Sequence, residues 1–395
     1  MRTICVCLGL AVLSLPVMAE DQSACGLERS VAAAAEQNDF TGSIVVSHRG
    51  HAVVTLYRGE ISEIGSGPID EKTRFNLASV SKIFTAVAIG QLIDRGKLRL
   101  DEPVGDVVKG LTDAARHVTI RQLLNHTSGL GDFFKPENMP AMLKARSASE
   151  LLPLIREESP AFVPGSRFSY SNSGFLLLGI AIERVSGMTY GEYLRRNIFL
   201  PAGMTSTGLD PQPLATLALG MTYAEMGPAA SAPTSGNGLV VVGPGGGEMS
   251  GGEAQRPRTL RVAPGAREGY GSPAGGMYST PTDLNKFAAA LENGKLLFRQ
   301  TLDEFTFPQV QVSPATASGP ARYYGFGFGF SDVSGTRWIG HNGGTPGANV
   351  EYWFDPSGEW TVAVLSNRDP PVATQMMRQI RLIMRGPVAA GSVCK

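Results

Sequence analysis

The stretch "RFNLASVSKIFTAV", Arg74 to Val87, decides how the rest of the chain is read. It sets two serines and a lysine among apolar residues at the apparent start of a helix. Val80, Ile83, Phe84, Val87, Leu92 and Ile93 recur at helical spacing from Ser79 to Leu98, and Gly96 is a stop signal. Ser79 and Lys82 are three residues apart, so on a helix their side chains share a face one turn apart. There a lysine can polarise the hydroxyl, or act as a base if burial and the helix N-terminus lower its pKa. The backbone N–H of Ser79 is also free at that end to serve as half of an oxyanion hole. Ser-x-x-Lys alone is weak, and a second copy, Ser392 to Lys395, ends the chain where no helix could hold it.

Outward from this stretch, β-rich runs lie at both ends of the chain. "LERSVAAAAEQ" reads as a helix, and "TGSIVVSHRGHAVVTLYRGE" as a hairpin about Arg49-Gly50. From Asp101 to Gly271 the pattern is mainly helical, broken by loops such as "LLNHTSGLGDFF" and "FVPGSRFSYSNSG". Residues 227–275 are rich in Gly, Pro, Ser and Ala around a short "LVVV" run and read as a long loop or flap, or as a surface insertion without function. After the helix "PTDLNKFAAALENG", strand pattern returns in "YYGFGFGFSD", "RWIGHNGG", "ANVEYWFD" and "WTVAVLSN", and "VATQMMRQIRLIMR" is an amphipathic helix. Phe326, Phe328 and Phe330 alternate with glycines, as in a strand with one buried face. The expected fold class is α/β (α+β): one antiparallel sheet flanked by N- and C-terminal helices and interrupted by an all-α lobe. The α/β part is expected over 20–100 and 275–395 and the lobe over 101–274.

Lys+Arg and Asp+Glu both total 35 in 395 residues, so no polyanionic partner is indicated, and nucleic-acid binding is not expected. The N-terminus has one arginine, an apolar stretch from Thr3 to Leu15 and Ala19 before Glu20, which reads as a signal peptide over residues 1–19. The stretch is too short for a membrane span, so no transmembrane anchor is expected. Cleavage would leave Cys25 and Cys394, which in an oxidising compartment suggest a disulfide joining the two ends. Two unrelated thiols are the alternative, as is a lipid-modified Cys25, although Gln22 stands where a lipoprotein signal usually has an aliphatic residue.

Two further elements carry chemistry. Tyr170-Ser171-Asn172 would send Tyr170 and Asn172 into one cleft if the loop is extended. His341-Asn342-Gly343-Gly344 follows the strand "RWIG", and its glycines would let a substrate backbone lie against a sheet edge. Each alone is more often a polar turn or a Gly-rich hairpin.

Together and in this order, the three motifs resemble those of the serine β-lactamase and penicillin-binding-protein superfamily. "LLNHTSGL", "YSNSGFLLLG", "PAGGMYSTPTDLNKF", "HNGGTPG" and "VLSN" look like landmarks of its class C-related branch, which includes D-Ala-D-Ala carboxypeptidases, other D-peptidases and esterases. The resemblance implies Ser79 as acylated nucleophile, Lys82 as its proton partner and Tyr170 as general base and acid. It implies Asn172 for positioning substrate and Lys82, and Gly344 as the second oxyanion N–H. Asn342 and Gly343 complete the substrate-binding strand, and neither Ser81 nor Ser171 fits the nucleophile's place.

His341 stands where β-lactamases of this branch usually carry lysine. A histidine of ordinary pKa, about 6.5, is mostly neutral at pH 7 and offers no fixed cation to a carboxylate. A D-Ala-D-Ala peptidase, D-peptide hydrolase or esterase therefore fits better than strong β-lactamase activity, and a class C-like β-lactamase is the alternative. The substrate would be a small molecule, ester or peptide, including a peptidoglycan stem peptide, and the location periplasmic or secreted. No cofactor or metal is required, and the five histidines form no H-E-x-x-H motif. His126 in "LLNHTSGL" reads as a structural loop residue. An α/β-hydrolase is excluded, because no Gly-x-Ser-x-Gly occurs. A slow-turnover penicillin-binding or peptidoglycan-sensing protein is the non-catalytic alternative.

Overall fold

A computed structural model describes residues 24–62, 67–223, 259–315, 321–333, 336–355 and 357–384. The signal-like segment, Cys394, the "LVVV" run and the second Ser-x-x-Lys lie outside these residues, as does the side chain of Cys25.

The frame is one eight-stranded antiparallel sheet. Its strands are β1 (Gly42–His48), β2 (His51–Arg58), β3 (Val310–Ser313), β4 (Arg322–Tyr324), β5 (Gly329–Val333), β6 (Thr336–Thr345), β7 (Ala348–Phe354) and β8 (Trp360–Ser366). They lie in the order β2-β1-β8-β7-β6-β5-β4-β3. The N-terminal hairpin therefore pairs with the last strand, Ser43 opposite Leu365. Arg49 and Gly50, at φ 51° and 78°, make the tight turn that joins β1 to β2.

Both faces of the sheet are covered, and strand alternation shows it. On β7, Trp353 packs with Leu27, Val31, Met376 and Ile380 of two terminal helices, α1 (Ala24–Gln37) and α5 (Val372–Ile383). Its neighbours Tyr352 and Phe354 turn to the opposite core, which includes Phe84 and Phe287. Those two rings come from α2 (Ser81–Asp94) and α4 (Pro281–Glu292) and lie 4.6 Å apart. α3 (Asn172–Ser186) packs with α2 inside the lobe of short helices inserted between β2 and α4.

Two expectations change. α2 is not amphipathic: every residue from Ser81 to Leu92 is buried, because sheet, lobe and α4 surround it, and a separate 3-10 turn, Ala78–Val80, precedes it. The Phe326–Phe330 alternation is not one strand. Gly327, at φ 81°, breaks it between β4 and β5, and a Cβ there would stand 2.4 Å from the Ala86 methyl. All three phenylalanines are buried, so the glycine lets this bend press onto α2, one turn from Lys82.

Candidate active site

The turn that presents Ser79 is held by backbone contacts. Ala78 sits at φ +42°, an uncommon conformation for a residue with a Cβ, fixed by three hydrogen bonds. Its N–H donates to Asn76 Oδ1 (2.8 Å), and its carbonyl accepts from Ser81 Oγ (2.8 Å) and from the Gly276 N–H (3.2 Å). Ser79 is half-buried at the head of α2, facing a cleft of about 1350 Å³ lined also by Tyr170, Asn172 and His341–Gly344.

Lys82 is fully buried one turn behind Ser79. Its ammonium donates to Asn172 Oδ1 (2.8 Å) and to the Ala274 carbonyl, and it lies 3.3 Å from Ser79 Oγ. Burial lowers its pKa to about 7 against the weaker opposing charge of Asp132. Asp132 acts through Asn172, whose Nδ2 donates to Asp132 Oδ2 at 2.8 Å. The chain Asp132–Asn172–Lys82–Ser79 thus links three elements, and at neutral pH a large share of Lys82 is uncharged.

Tyr170 and Asn172 do reach the same cleft, although only Tyr170 is in the loop, since Asn172 is the first residue of α3. Ser171 caps that helix, accepting from the Gly174 N–H and donating to the Gly131 carbonyl, both at 2.9 Å. The Tyr170 ring lies 4.7 Å from Lys82 Nζ. Its buried hydroxyl makes no hydrogen bond of normal geometry, while the nearby Ser79 hydroxyl would favour its ionised form. Burial outweighs this and raises its pKa, so the phenol keeps its proton and stands as an acid, not as the general base that the resemblance implies. His126 packs beneath it at 4.2 Å, accepts from the Ser171 N–H at Nδ1 (3.1 Å) and is kept neutral by burial.

His341 is also buried and neutral. Nδ1 donates to the Asn342 carbonyl, so Nε2 accepts from the Tyr324 hydroxyl at 3.0 Å. Burial first, and then the Lys82 charge, lower its pKa to about 3. The reading of a neutral imidazole in the lysine's place therefore agrees with its surroundings.

β6 pairs with β5 only as far as Gly340, so His341–Thr345 are paired on the β7 side alone. That released edge packs against the turn that carries Ser79. A Cβ on Gly343 would stand 2.9 Å from the Ser79 nitrogen and 2.7 Å from the Leu77 carbonyl. Only glycine lets strand and turn approach this closely, which brings Gly344 and the Ser79 N–H to one end of the cleft.

Three contributors escaped the sequence reading. Asp132 and Tyr324 lie in segments singled out for other reasons. Asn349, 2% exposed, donates to the Gly343 carbonyl (3.1 Å) and accepts from the Thr374 N–H (3.1 Å). Thr374 Oγ1 in turn donates to buried Glu351 at 2.7 Å. α5 and β7 thus brace the strand beside Ser79. A buried asparagine two residues past a Gly-rich turn carries no local sign of this.

The family profile named Beta-lactamase matches residues 27–384. Penicillin-binding protein 4* of Bacillus subtilis (strain 168) is 33% identical over 199 residues, 48% of this chain and 43% of that one. A beta-lactamase of Escherichia coli (strain K12) is 30% identical over 173 residues, 42% of this chain and 44% of that one. The chain therefore spans less than half the length of each of these two relatives. The crystal structure of a penicillin binding protein from Bacillus halodurans superimposes with TM-score 0.73 at 27% identity, covering 89% of this chain and 98% of that one. A match over nearly the whole described chain, on a fold that presents a serine and a buried lysine one turn apart, makes this protein a member of the Beta-lactamase family.

Proposed function

We propose that this chain is an exported hydrolase that cleaves amide or ester carbonyls through an acyl-enzyme on Ser79, with D-peptides and esters preferred over β-lactams. The observation that carries this is Lys82, buried beside Ser79 Oγ without a directly bonded carboxylate and with a pKa near neutrality. Neutral Lys82 accepts the Ser79 proton as Oγ attacks the carbonyl carbon. The oxyanion is received by the N–H groups of Ser79 and Gly344. Tyr170, still protonated, relays a proton to the departing amine or alkoxide, and Lys82 reprotonates it. Water then attacks the acyl carbon and gives its proton to Lys82, which returns it to Ser79 Oγ as the acid departs. Asn172 orients Lys82 and the substrate amide.

Neutral His341 supports the substrate order, because a β-lactam carboxylate finds no cation on this strand. The same reasoning applies to the free carboxylate of a D-Ala-D-Ala terminus, which ranks esters and carboxylate-free D-amides first. Export to the periplasm or medium rests on the N-terminal stretch. The Cys25–Cys394 disulfide belongs to the same proposal, supported by the packing of α1, which begins at Ala24, against α5, which ends at Ile383.

The test is steady-state hydrolysis of p-nitrophenyl butyrate, diacetyl-Lys-D-Ala-D-Ala and nitrocefin by the wild type beside Ser79→Ala. The ester should turn over fastest, and every activity should vanish in the variant. Equal rates from both proteins would overturn the reading. Stable labelling by a fluorescent penicillin without turnover would favour a slow binding protein instead.

A further inference from the structure

We infer that the active-site cleft holds an apolar chamber for an uncharged hydrocarbon group of the substrate, an acyl chain or aryl side chain, beside the bond that Ser79 attacks. The inference rests on the acyl-serine reading and adds the substrate's chemical class. Besides the His341–Thr345 edge, the lining of the cleft includes Phe134, Met139, Met142, Leu143, Leu209 and Tyr270. Two short pieces of chain build it. One is the helix Met139–Lys144, which buries none of its own residues. The other is the turn 265–271, where a Cβ on Gly265 would stand 3.2 Å from Leu143 Cδ2.

The chamber adjoins the chemistry directly. Asp132 accepts from the Asn172 amide at Oδ2 and from the Phe134 N–H (2.8 Å) at Oδ1, so one carboxylate fixes both the catalytic corner and the first aromatic wall. Phe134 packs on the Phe133 ring at 4.5 Å and keeps 39% of its surface exposed on the cleft wall.

The charges near the chamber sit at its rim. Both oxygens of Asp132 are occupied as above. Arg146 donates from Nη1 to the carbonyls of Leu143, Lys144 and Ala145, and its guanidinium covers the Tyr270 ring at 5.3 Å. Arg146 and Lys135 are both exposed. The apolar walls themselves therefore offer contact area. Two methionines suit such a surface, because their unbranched side chains adapt to occupants of different shape. Ligand sites commonly enclose about 300–1,000 Å³, so a cleft of about 1350 Å³ is far from filled by a dipeptide terminus.

Binding is tested without chemistry in the full-length Ser79→Ala protein. 1-N-Phenylnaphthylamine reports the chamber by fluorescence, and octanamide and acetamide compete for it. Octanamide should displace the probe at concentrations at least about a hundredfold lower than acetamide, since each buried methylene is worth about fourfold. Met142→Trp, which fills the chamber, and Leu143→Asp, which charges it, should each weaken octanamide at least tenfold. Using both guards against one failing to fold. Equal displacement by the two amides, or undiminished octanamide binding by both folded variants, would overturn the inference.

In the wild type, kcat/KM for p-nitrophenyl esters should climb from acetate to octanoate, and the octanoate-to-acetate ratio should fall at least tenfold in either variant. Turnover that depends on Ser79 but ignores chain length would overturn the chamber alone. Octanamide binding without Ser79-dependent turnover would overturn the acyl-serine reading and leave the chamber standing.

Discussion

Two regions face the same cleft with opposite electrical character. The helix corner holds Lys82 near its titration midpoint at neutral pH, wired through Asn172 to Asp132. The strand edge across from it is neutral, with His341 kept uncharged by burial and bonded to Tyr324. On the proposed function, the corner would move the proton and the edge would lay out a substrate without demanding a charge from it. Reaction type and substrate choice would then be set by separate groups, which can be perturbed separately.

The largest effect should come from breaking the corner. Lys82→Met is expected to lower kcat/KM about 10³-fold, within the range for losing a positioned proton acceptor. In the wild type kcat/KM should rise as pH climbs through about 7, because Lys82 can accept a proton only when neutral, and the variant's residual rate should lack that limb. Stability carries the same signature. An unfolded lysine titrates at about 10.4, so between about 7 and that value the unfolded chain holds the extra proton. Stability should therefore rise with pH across that window in the wild type relative to Lys82→Met, measured by denaturant melts.

Next is the junction between the regions. Gly343→Ala puts a methyl 2.9 Å from the Ser79 nitrogen, and the resulting shift should cost about 10²-fold in kcat/KM. An unaffected rate would mean that the strand is not registered against the nucleophile as described.

Changes confined to the edge should be smaller and selective. His341→Lys places a cation where the histidine is neutral, and should raise the nitrocefin-to-ester rate ratio about tenfold, in line with a charge-assisted hydrogen bond to the carboxylate. A proportional loss on both substrates would deny the edge its part in selection. Asn349→Leu frees the Gly343 carbonyl and should lower kcat about tenfold with little change in KM for a neutral ester, since it loosens the oxyanion strand without touching substrate. Rescue by Asn349→Gln would separate positioning from simple loss of packing.

The corner was more legible in the sequence than the edge. Ser79 and Lys82 are three residues apart, and Tyr170 and Asn172 two, so local geometry alone pairs them. The helix-strand pattern likewise gave the sheet with its flanking helices. Asp132 meets Asn172 across 40 residues and Tyr324 meets His341 across 17, contacts that only the folded chain creates. The phenylalanine alternation misled because Gly327 turns the chain toward α2, and periodicity cannot register a positive φ. The neutrality of His341 was inferred from an ordinary pKa, whereas burial enforces it far more strongly.

The most direct test of the account is to quench the wild-type reaction with p-nitrophenyl butyrate in acid during turnover and map the butyryl group by peptide mass spectrometry. The account predicts the label on the peptide carrying Ser79, on that hydroxyl, and none in Ser79→Ala. A label on another residue, or turnover that proceeds in Ser79→Ala, would contradict it.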